Sequence, residues 1–163
     1  MELTPVPSLN SMIIVDYAHT PDALENVLIN LRSIGSYDKV TTIVGCGGNR
    51  DKGKRPLMGG IAAKYSDQVI ITDDNPRNES PAQIRAEIIA GIKIADIRAE
   101  MVSNIADRKH AIATAINNIT SNECILIAGK GHETENITAN GTITHHDDSN
   151  EVKKCLTATN ISQ

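Results

Sequence analysis

Four short segments of this chain gather residues that could bind a small charged ligand. They are DYAHTPD from Asp16, GCGGNRDKGKRP from Gly45, DDNPRNESP from Asp73 and GKGHE from Gly129. The third segment combines acids, amides and an arginine where a plain turn would suffice. An arginine guanidinium offers a planar fork of donors that suits a carboxylate, and an aspartate can accept hydrogen bonds from an ammonium group. These segments are therefore the candidate functional part of the sequence.

Each segment follows a short apolar run that is typical of a buried strand. The runs lie at 11–15, 40–44, 69–72 and 124–128, with a weaker strand at 99–102. Continuous β-branched runs of this length indicate strands that are buried on both faces of a sheet. Ligands of open parallel sheets bind outside the carboxyl ends of the strands, so we expect the four segments to meet at that edge.

Amphipathic helical patterns alternate with these strands. We predict helices that begin near Pro21, Pro56, Ser80 and Asp107, and a short last helix from Asp148 to Leu156. In the first helix, Thr20 is a suitable N-cap and Gly35 a suitable stop. In the last helix, Asp148 and Glu151 form a candidate capping box.

Strands that alternate with helices favour an α/β fold, because a parallel crossover needs many residues and usually forms a helix. We expect a mostly parallel sheet of about six strands with helices on both faces. Asn140 and Gly141 predict a type I′ hairpin between 136–138 and 142–144, which we expect to supply one antiparallel edge strand. Residues 1–10 include the proline-punctuated stretch TPVPS and are predicted to be the remnant of an interdomain linker, with the domain at 11–163.

Composition excludes several classes of function. The chain has 163 residues and a mass of 17.5 kDa, which suits one domain with a core. A net charge of −4 gives no electrostatic case for binding nucleic acid or an anionic membrane. The first residues, MELTP, lack the basic start and apolar run of a signal peptide, and no apolar run approaches the roughly 20 residues of a membrane span, so a cytoplasmic location is expected. The widely spaced Cys46, Cys124 and Cys155 are expected to be reduced.

Each motif is weak when it is considered alone. The glycine-rich segment lacks a G-x-G-x-x-G pattern, and its G-K-R lacks the Ser or Thr of a Walker A loop. Asp16 and His19 could form only a turn and a helix lead-in. The basic run at 50–55 could be a solvated surface, as could Lys130, His132 and Glu133. The HHDD run at 145–148 suggests metal ligands, but a strand end followed by a helix cap is the favoured interpretation.

Taken together, four ordered motifs resemble the C-terminal domain of the Mur ligases, most closely the ligases that add meso-diaminopimelate. The motifs are VDYAHTPDALENVL, GCGGNRDKGKRPLMG, TDDNPRNESP and AGKGHE, and the resemblance covers about Val15 to Leu156. It implies the Rossmann-like third domain of an enzyme whose other domains bind the UDP-sugar substrate and, through a P-loop, ATP. The complete enzyme uses ATP and Mg²⁺ to phosphorylate the free carboxylate of UDP-MurNAc-L-Ala-D-Glu, and an amine of the incoming amino acid then attacks the acyl phosphate.

The same resemblance assigns roles to individual residues. Contacts to meso-diaminopimelate are expected at Arg50, Asp74, Asn75, Pro76, Arg77, Gly129 and Glu133, and nucleotide-facing positions at Asp16 and His19. DNPR is the version of the motif that reads diaminopimelate, so Arg77 is expected to bind the distal carboxylate that lysine lacks.

The resemblance also predicts what this domain does not do by itself. It implies no catalytic residue, no metal ligand and no tightly bound cofactor here, and a domain that closes over ATP and is inactive alone. The expected partners are meso-diaminopimelate, ATP and the UDP-MurNAc-dipeptide, reached through the other domains, with neither nucleic acid nor membrane.

Two interpretations from other function classes compete with this one. A metal-dependent phosphohydrolase could use Asp16, His19, Asp73, Asp74 and His132. A stand-alone small-molecule-binding module would need only a cavity at the sheet edge. Nearer alternatives are another Mur ligase or a folylpolyglutamate synthetase, but neither is expected to carry DNPR in this setting.

Overall fold

The computed structural model describes residues 1–34, 36–94, 99–138 and 142–159. The strands are β1 (Glu2–Val6), β2 (Ser11–Asp16), β3 (Lys39–Val44), β4 (Gln68–Ile71), β5 (Met101–Asn104), β6 (Glu123–Ala128), β7 (Glu135–Ile137) and β8 (Ile143–His145). The helices are α1 (Pro21–Ile34), α2 (Lys54–Tyr65), α3 (Pro81–Ile94), α4 (Arg108–Asn117) and α5 (Asp148–Thr159). Strands and helices alternate along most of the chain, as the hydrophobic pattern predicts.

Six strands form one sheet in the order β1-β2-β6-β3-β4-β5. Strands β2, β6, β3, β4 and β5 run parallel, whereas β1 pairs antiparallel with β2. The predicted α/β fold, with a six-stranded sheet and one antiparallel edge strand, is confirmed. Because the chain leaves β2, β3, β4 and β6 at the same edge, the four polar segments all emerge there.

The antiparallel edge comes from a part of the chain where we expected a linker. Residues 2–6 form β1, in which Pro5 lies opposite Met12. A proline is tolerated at a sheet edge because no second neighbouring strand needs its missing N–H. Asn10, with a left-handed φ of 53°, turns the chain directly back into β2. The sheet therefore begins before residue 11.

The predicted hairpin forms, but it is not the edge of the main sheet. Strands β7 and β8 pair antiparallel as a separate two-stranded sheet, which corrects our expectation. The backbone N–H of Ile137 donates to Oδ1 of Asn75 at 2.9 Å, so a loop and not a strand edge anchors the hairpin. The turn residues Asn140 and Gly141, like the predicted helix stop Gly35, lie outside the described residues.

Apolar residues on the two faces of the sheet form two core clusters. On one face, Ile14 and Leu126 pack with residues of α1, α2 and α3. On the other face, Ile13, Ile125 and Ile127 pack with residues of α4 and α5. Helices on both faces are therefore confirmed, and alternate residues of β2 and β6 serve opposite cores, as strand geometry requires.

Helices α2 and α3 approach each other backbone to backbone. A Cβ atom at Gly59 would lie 2.0 Å from the carbonyl oxygen of Ile88, and one at Gly91 would lie 1.8 Å from that of Pro56. A glycine inside a helix costs about 1 kcal/mol relative to alanine, so close helix contact is the reason for these two. The contact brings the first turn of α2 against α3 at the edge of the candidate site.

One predicted helix cap is confirmed and another is wrong. The side chain of Asp107 caps α4 by accepting a backbone N–H of its first turn. Asp148, however, is the first residue of α5, and its carboxylate bonds to Arg108 instead. Asp147 takes the capping role and accepts the N–H of Asn150 at 3.0 Å. A buried guanidinium needs a charged partner, and that demand outweighs the capping pattern.

Candidate functional site

The loops after β2, β3, β4 and β6 surround a cavity of about 810 Å³ at the carboxyl edge of the sheet. Seven of the nine residues that the resemblance singled out line it: His19, Arg50, Asp74, Asn75, Arg77, Gly129 and Glu133. Asp16 and Pro76 do not line it. We refer to residues 45–53, after β3, as the glycine loop and to residues 72–80, after β4, as the DNPR loop.

Two arginines provide the positive side of the cavity. The Nη1 atom of Arg77 donates to the carbonyl oxygen of Gly48 at 2.9 Å, and no residue in the described part of the chain bonds to its Nε or Nη2. Arg50 is exposed and forms no hydrogen bond or ion pair within the described ranges. A Cβ atom at Gly47 would lie 2.9 Å from Nη1 of Arg77 and 3.8 Å from Cγ of Arg50. The guanidinium of Arg77 and the aliphatic part of the Arg50 side chain therefore both lie beside Gly47, and both arginines have donors left for an anion.

Two carboxylates provide the negative side. Nζ of the fully buried Lys130 lies 3.4 Å from Oδ1 of Asp74 and 4.0 Å from Oε2 of Glu133. The hydroxyl of Tyr17 donates to Oε1 of Glu133 at 3.3 Å, and the negative charge of Glu133 raises the pKa of Tyr17. A Cβ atom at Gly129 would lie 3.5 Å from Oδ2 of Asp74, so this glycine leaves the carboxylate accessible.

Lys130 shows how the sequence interpretation fell short. The sequence did not decide whether Lys130 is a solvated lysine or a site residue. In the structure its side chain is buried next to Asp74 and Glu133. Its Nζ donates to Oδ1 of Asn75 at 3.1 Å and to the carbonyl oxygen of Glu135 at 2.8 Å. Lys130 therefore links the DNPR loop to the β7–β8 hairpin. Its position two residues after the end of the buried strand β6 was the sequence feature that could have indicated its burial.

Asn75 and Pro76 support the loop from inside. Oδ1 of Asn75 accepts from both Lys130 and Ile137, so only its amide NH₂ faces further partners. The carbonyl oxygen of Pro76 would lie 1.9 Å from a Cβ atom at Gly48, which means that the two loops touch through their backbones. Only glycine fits at that point of the glycine loop.

The segment after β2 places Asp16 and His19, the two predicted nucleotide-facing residues, in different surroundings. Oδ1 of Asp16 accepts the N–H of Ala18 at 2.9 Å, which fixes the turn into α1. His19 reaches the cavity, and its ring lies 4.5 Å from that of Tyr17. Lys54, a cavity residue from α2, donates to the carbonyl oxygen of His19 at 2.7 Å.

A buried arginine, which the sequence interpretation grouped with the solvated basic run, joins the two central loops. Arg55 is fully buried, and its Nη1 and Nη2 donate to the two carboxylate oxygens of Glu79 at 3.0 and 2.9 Å. Nη1 also donates to Glu87 at 2.7 Å. Oε1 of Glu79 in turn accepts the N–H of Asn49 at 2.6 Å. The adjacent helix start at Pro56 was the available sign that Arg55 belongs to a helix, not to a solvated loop.

The HHDD run at 145–148 is structural. Nε2 of His146 lies 2.7 Å from Oδ1 of Asp148, and Arg108 donates to both oxygens of that carboxylate at 2.9 and 2.8 Å. Burial alone would raise the pKa of Asp148, but the charge of Arg108 and the hydrogen bonds with Arg108 and His146 outweigh it and hold the pKa well below its usual range. The favoured interpretation, a strand end followed by a helix, is confirmed.

The five residues of the hydrolase alternative are not gathered as a metal site. Asp73 pairs with Arg85 and does not line the cavity, and Asp74 lies beside Lys130. Within the described ranges, no three His, Cys, Asp or Glu residues are placed to hold a metal ion.

In the same ranges, no helix has the length and apolar character to cross a membrane.

The three cysteines are free. Burial raises the pKa of Cys46 to about 11 and that of Cys124 to about 12, so both are protonated thiols near neutral pH. Neither is suited to act as a nucleophile.

Comparison with known proteins identifies a family and several relatives of this chain. Residues 1–131 match the family described as "Mur ligase, glutamate ligase domain". A UDP-N-acetylmuramoyl-L-alanyl-D-glutamate–2,6-diaminopimelate ligase from Rickettsia montanensis is 52% identical over 148 residues, which cover 90% of this chain and 30% of that protein. The corresponding ligase from Cytophaga hutchinsonii is 51% identical over 75% of this chain and 25% of its own length.

Solved structures give the same result. A structure of a ligase with this name superposes with a TM-score of 0.87 at 39% identity, covering 98% of this chain and 31% of that one. A folylpolyglutamate synthase from Thermotoga maritima, at 19% identity, covers 78% of this chain and 26% of its own with a TM-score of 0.55, and shows the fold alone. The chain spans about 30% of the length of the Rickettsia montanensis relative. It belongs to the Mur ligase family, as a C-terminal, glutamate ligase domain.

Proposed function

We propose that this domain binds the incoming meso-diaminopimelate for an ATP-dependent ligase of peptidoglycan synthesis. The observation that carries the proposal is the two-signed cavity, with Arg50 and Arg77 on one side and Asp74 and Glu133 on the other. Meso-diaminopimelate has two carboxylates and two ammonium groups, so it needs fixed cations and fixed anions in one site. The names of the relatives, which are diaminopimelate ligases, support the same assignment.

In this proposal, the residues of the DNPR loop divide the work of recognition. The free donors of Arg77 bind the distal carboxylate, and Arg50 supplies a second cation nearby. Asp74 and Glu133 accept from an ammonium group, while Asn75 and Pro76 hold the loop in place. The domain thereby orients an amine of the amino acid toward the acyl phosphate that the rest of the ligase would form.

ATP and Mg²⁺ are assigned to the complete ligase. Lys54 and Arg50 place cations in the cavity that suit phosphate oxygens, and His19 is the nucleotide-facing residue that this geometry favours. Asp16 is engaged with its own turn and has a supporting role there. The chain alone is expected neither to hydrolyse ATP nor to form a peptide bond, since its sequence has no Walker A loop.

The test is a titration of the 163-residue chain with meso-diaminopimelate, L-lysine and ATP, followed by NMR and calorimetry. We expect meso-diaminopimelate to bind with a Kd in roughly the millimolar range, about −4 kcal/mol, because closure against other domains normally completes such a site. Amide shifts should cluster at the glycine and DNPR loops, and lysine should bind more weakly. Equal affinity for lysine, or shifts only elsewhere, would contradict the proposal.

A second experiment tests the reaction itself. The domain replaces the matching part of the Rickettsia montanensis ligase, to which it is 52% identical. The chimaera should form the tripeptide product with meso-diaminopimelate and ATP. Failure of the folded chimaera to form product, while the parent ligase does so under the same conditions, would contradict the assignment.

A further inference from the structure

We propose that Arg55 and Glu79 are positioning residues for amino-acid recognition, because they hold the arginine-bearing glycine and DNPR loops as one unit. The inference rests on the proposed function and adds two residues that lie outside the cavity lining. Arg55 is fully buried and the side chain of Glu79 is only 17% exposed. Both would therefore act through other residues and not by touching the ligand.

The first joint runs through the side chain of Glu79. Its two oxygens bind Nη1 and Nη2 of Arg55 at 3.0 and 2.9 Å, a bidentate pair that fixes the carboxylate plane. Oε1 also accepts the N–H of Asn49 at 2.6 Å. Asn49 has a left-handed φ of 53° and directly precedes Arg50. The carboxylate therefore holds the backbone from which Arg50 projects.

The second joint runs through the backbone of the DNPR loop. The N–H of Glu79 donates to the carbonyl oxygen of Pro76 at 3.0 Å, across Arg77 with its φ of 50°. The N–H of Gly48 donates to the carbonyl oxygen of Asn75 at 2.8 Å, and Arg77 donates back to Gly48 at 2.9 Å. Glu79 thus reaches Arg50 through its side chain and Arg77 through its main chain.

Helix α3 supplies a matched control. Oε2 of Glu87 accepts from Nη1 of Arg55 at 2.7 Å, and its Oε1 accepts from Gln83 on the same helix at 3.1 Å. Glu87 forms no hydrogen bond to either loop within the described residues. Glu79→Gln and Glu87→Gln each remove one negative charge from Arg55. Only Glu79→Gln also weakens the acceptor at Asn49, because a neutral amide oxygen replaces a charged carboxylate oxygen and the NH₂ group can no longer accept from Arg55.

The experiment compares both variants in the 163-residue chain by amide hydrogen exchange, meso-diaminopimelate titration and melting temperature. Glu79→Gln should speed exchange at Gly48 and Asn49 and weaken meso-diaminopimelate binding by about tenfold to a hundredfold, because small misplacements of a binding group are costly. Glu87→Gln should leave the exchange rates and the affinity for meso-diaminopimelate within about twofold of the unsubstituted chain, even if its melting temperature falls as much as that of Glu79→Gln. Equal losses in the two variants would overturn the inference, since Arg55 would then act only through general stability.

Two further outcomes are decisive. If Glu79→Gln does not fold, Glu79→Asp keeps the charge but shortens the reach to Asn49, and it should show the same local exchange and weaker binding. Unchanged exchange at Gly48 and Asn49 in the folded variant would refute the positioning role. If the unsubstituted chain does not bind meso-diaminopimelate, the proposed function fails, whereas the exchange data still decide whether Glu79 holds the loops.

Discussion

Two buried arginines, one on each face of the sheet, bind carboxylates in contrasting settings. Arg108 in α4 pairs with Asp148, whose side chain is completely buried. Arg55 in α2 pairs with Glu79 and Glu87, whose side chains are 17% and 29% exposed and lie near the cavity. Each arginine makes a bidentate contact, so the geometry of the pairs is alike and their surroundings differ.

The contrast separates a pair that maintains the fold from a pair that shapes the site. Arg108 and Asp148 join two helices, and removal of either charge would strand the other in the core. The carboxylate of Glu79 also accepts the N–H of Asn49 in the glycine loop. Its removal should therefore change the position of the loop that carries Arg50, a proposed ligand-binding residue. A buried salt bridge therefore has to be traced to its further contacts before it is assigned to stability or to function.

The largest expected effect concerns the fold-maintaining pair. Asp148→Asn should lower the free energy of unfolding by about 3–5 kcal/mol, because the charge of Arg108 stays buried without a counterion. Urea denaturation measures the loss. Meso-diaminopimelate affinity of the folded fraction should not change, since the pair lies outside the cavity. A stability loss below about 1 kcal/mol would show that the Arg108–Asp148 pair does not maintain the fold, and would contradict the assigned difference between the two arginines.

Next in size is the effect of Arg77→Ala on ligand choice. A charge-assisted bond to a carboxylate contributes roughly 1.5–3 kcal/mol, so kcat/KM for meso-diaminopimelate in the chimaeric ligase should fall about 10- to 100-fold. The poor rate with lysine should stay constant or improve, because lysine has no distal carboxylate. The melting temperature should barely change.

The comparison of substrates decides between two roles for Arg77. Both rates and both melting temperatures are measured on both proteins. Equal loss of both activities, or unfolding of the variant, would mean that Arg77 is structural and that DNPR does not read the amino acid.

A smaller, pH-dependent effect distinguishes the loop pair. The bond from Arg55 lowers the pKa of Glu79 from its usual 4.5 to about 2. Because the folded-state pKa is depressed, the stabilisation is complete above about pH 4.5 and is lost as the pH falls through 2. Glu79→Gln should therefore flatten the decline of stability between these pH values, measured by urea denaturation at pH 6, 4 and 3. An unchanged slope would show that the pair contributes little to acid sensitivity.

The smallest effect sets the baseline for the comparison. Nζ of Lys153 lies 3.3 Å from Glu2, and their side chains are 65% and 48% exposed. Solvent screens such a pair, so Lys153→Ala should change the free energy of unfolding by less than about 0.5 kcal/mol. A loss comparable to that of Asp148→Asn would indicate that exposure does not separate these ion pairs.

Much of the fold could be predicted because hydrophobic period and local capping are properties of short segments. The buried runs at 40–44 and 124–128 and the N-cap at Asp107 are examples. The edge strand β1 was missed since Pro5 and Pro7 suggest a linker, whereas Pro5 is tolerated because β1 lies at the edge of the sheet beside β2. The position of β1 at the edge of the sheet depends on how the whole sheet is ordered, which no local pattern contains.

The sequence predicted which residues belong to the site, but not which contacts they make. Ordered motifs placed Arg50, Arg77 and Glu133 in one region, and the sheet topology brings them to one cavity. The burial of Arg55 and Lys130 was missed, because a run of basic residues has the same composition whether it meets water or a carboxylate. Which of the two occurs depends on the packing of α2 against α3 and of the hairpin against the DNPR loop.

The left-handed backbone of Arg77 has a consequence for how such domains diverge. A φ of 50° costs a residue with a Cβ about 1 kcal/mol or more, whereas glycine and asparagine adopt it readily. Replacing Arg77 by asparagine thus relaxes the chain while it removes the guanidinium. The relieved strain would offset part of the hydrogen bond to Gly48 that the substitution removes. Under the proposed function, the preference for an amino acid could therefore drift at this position at a small folding cost.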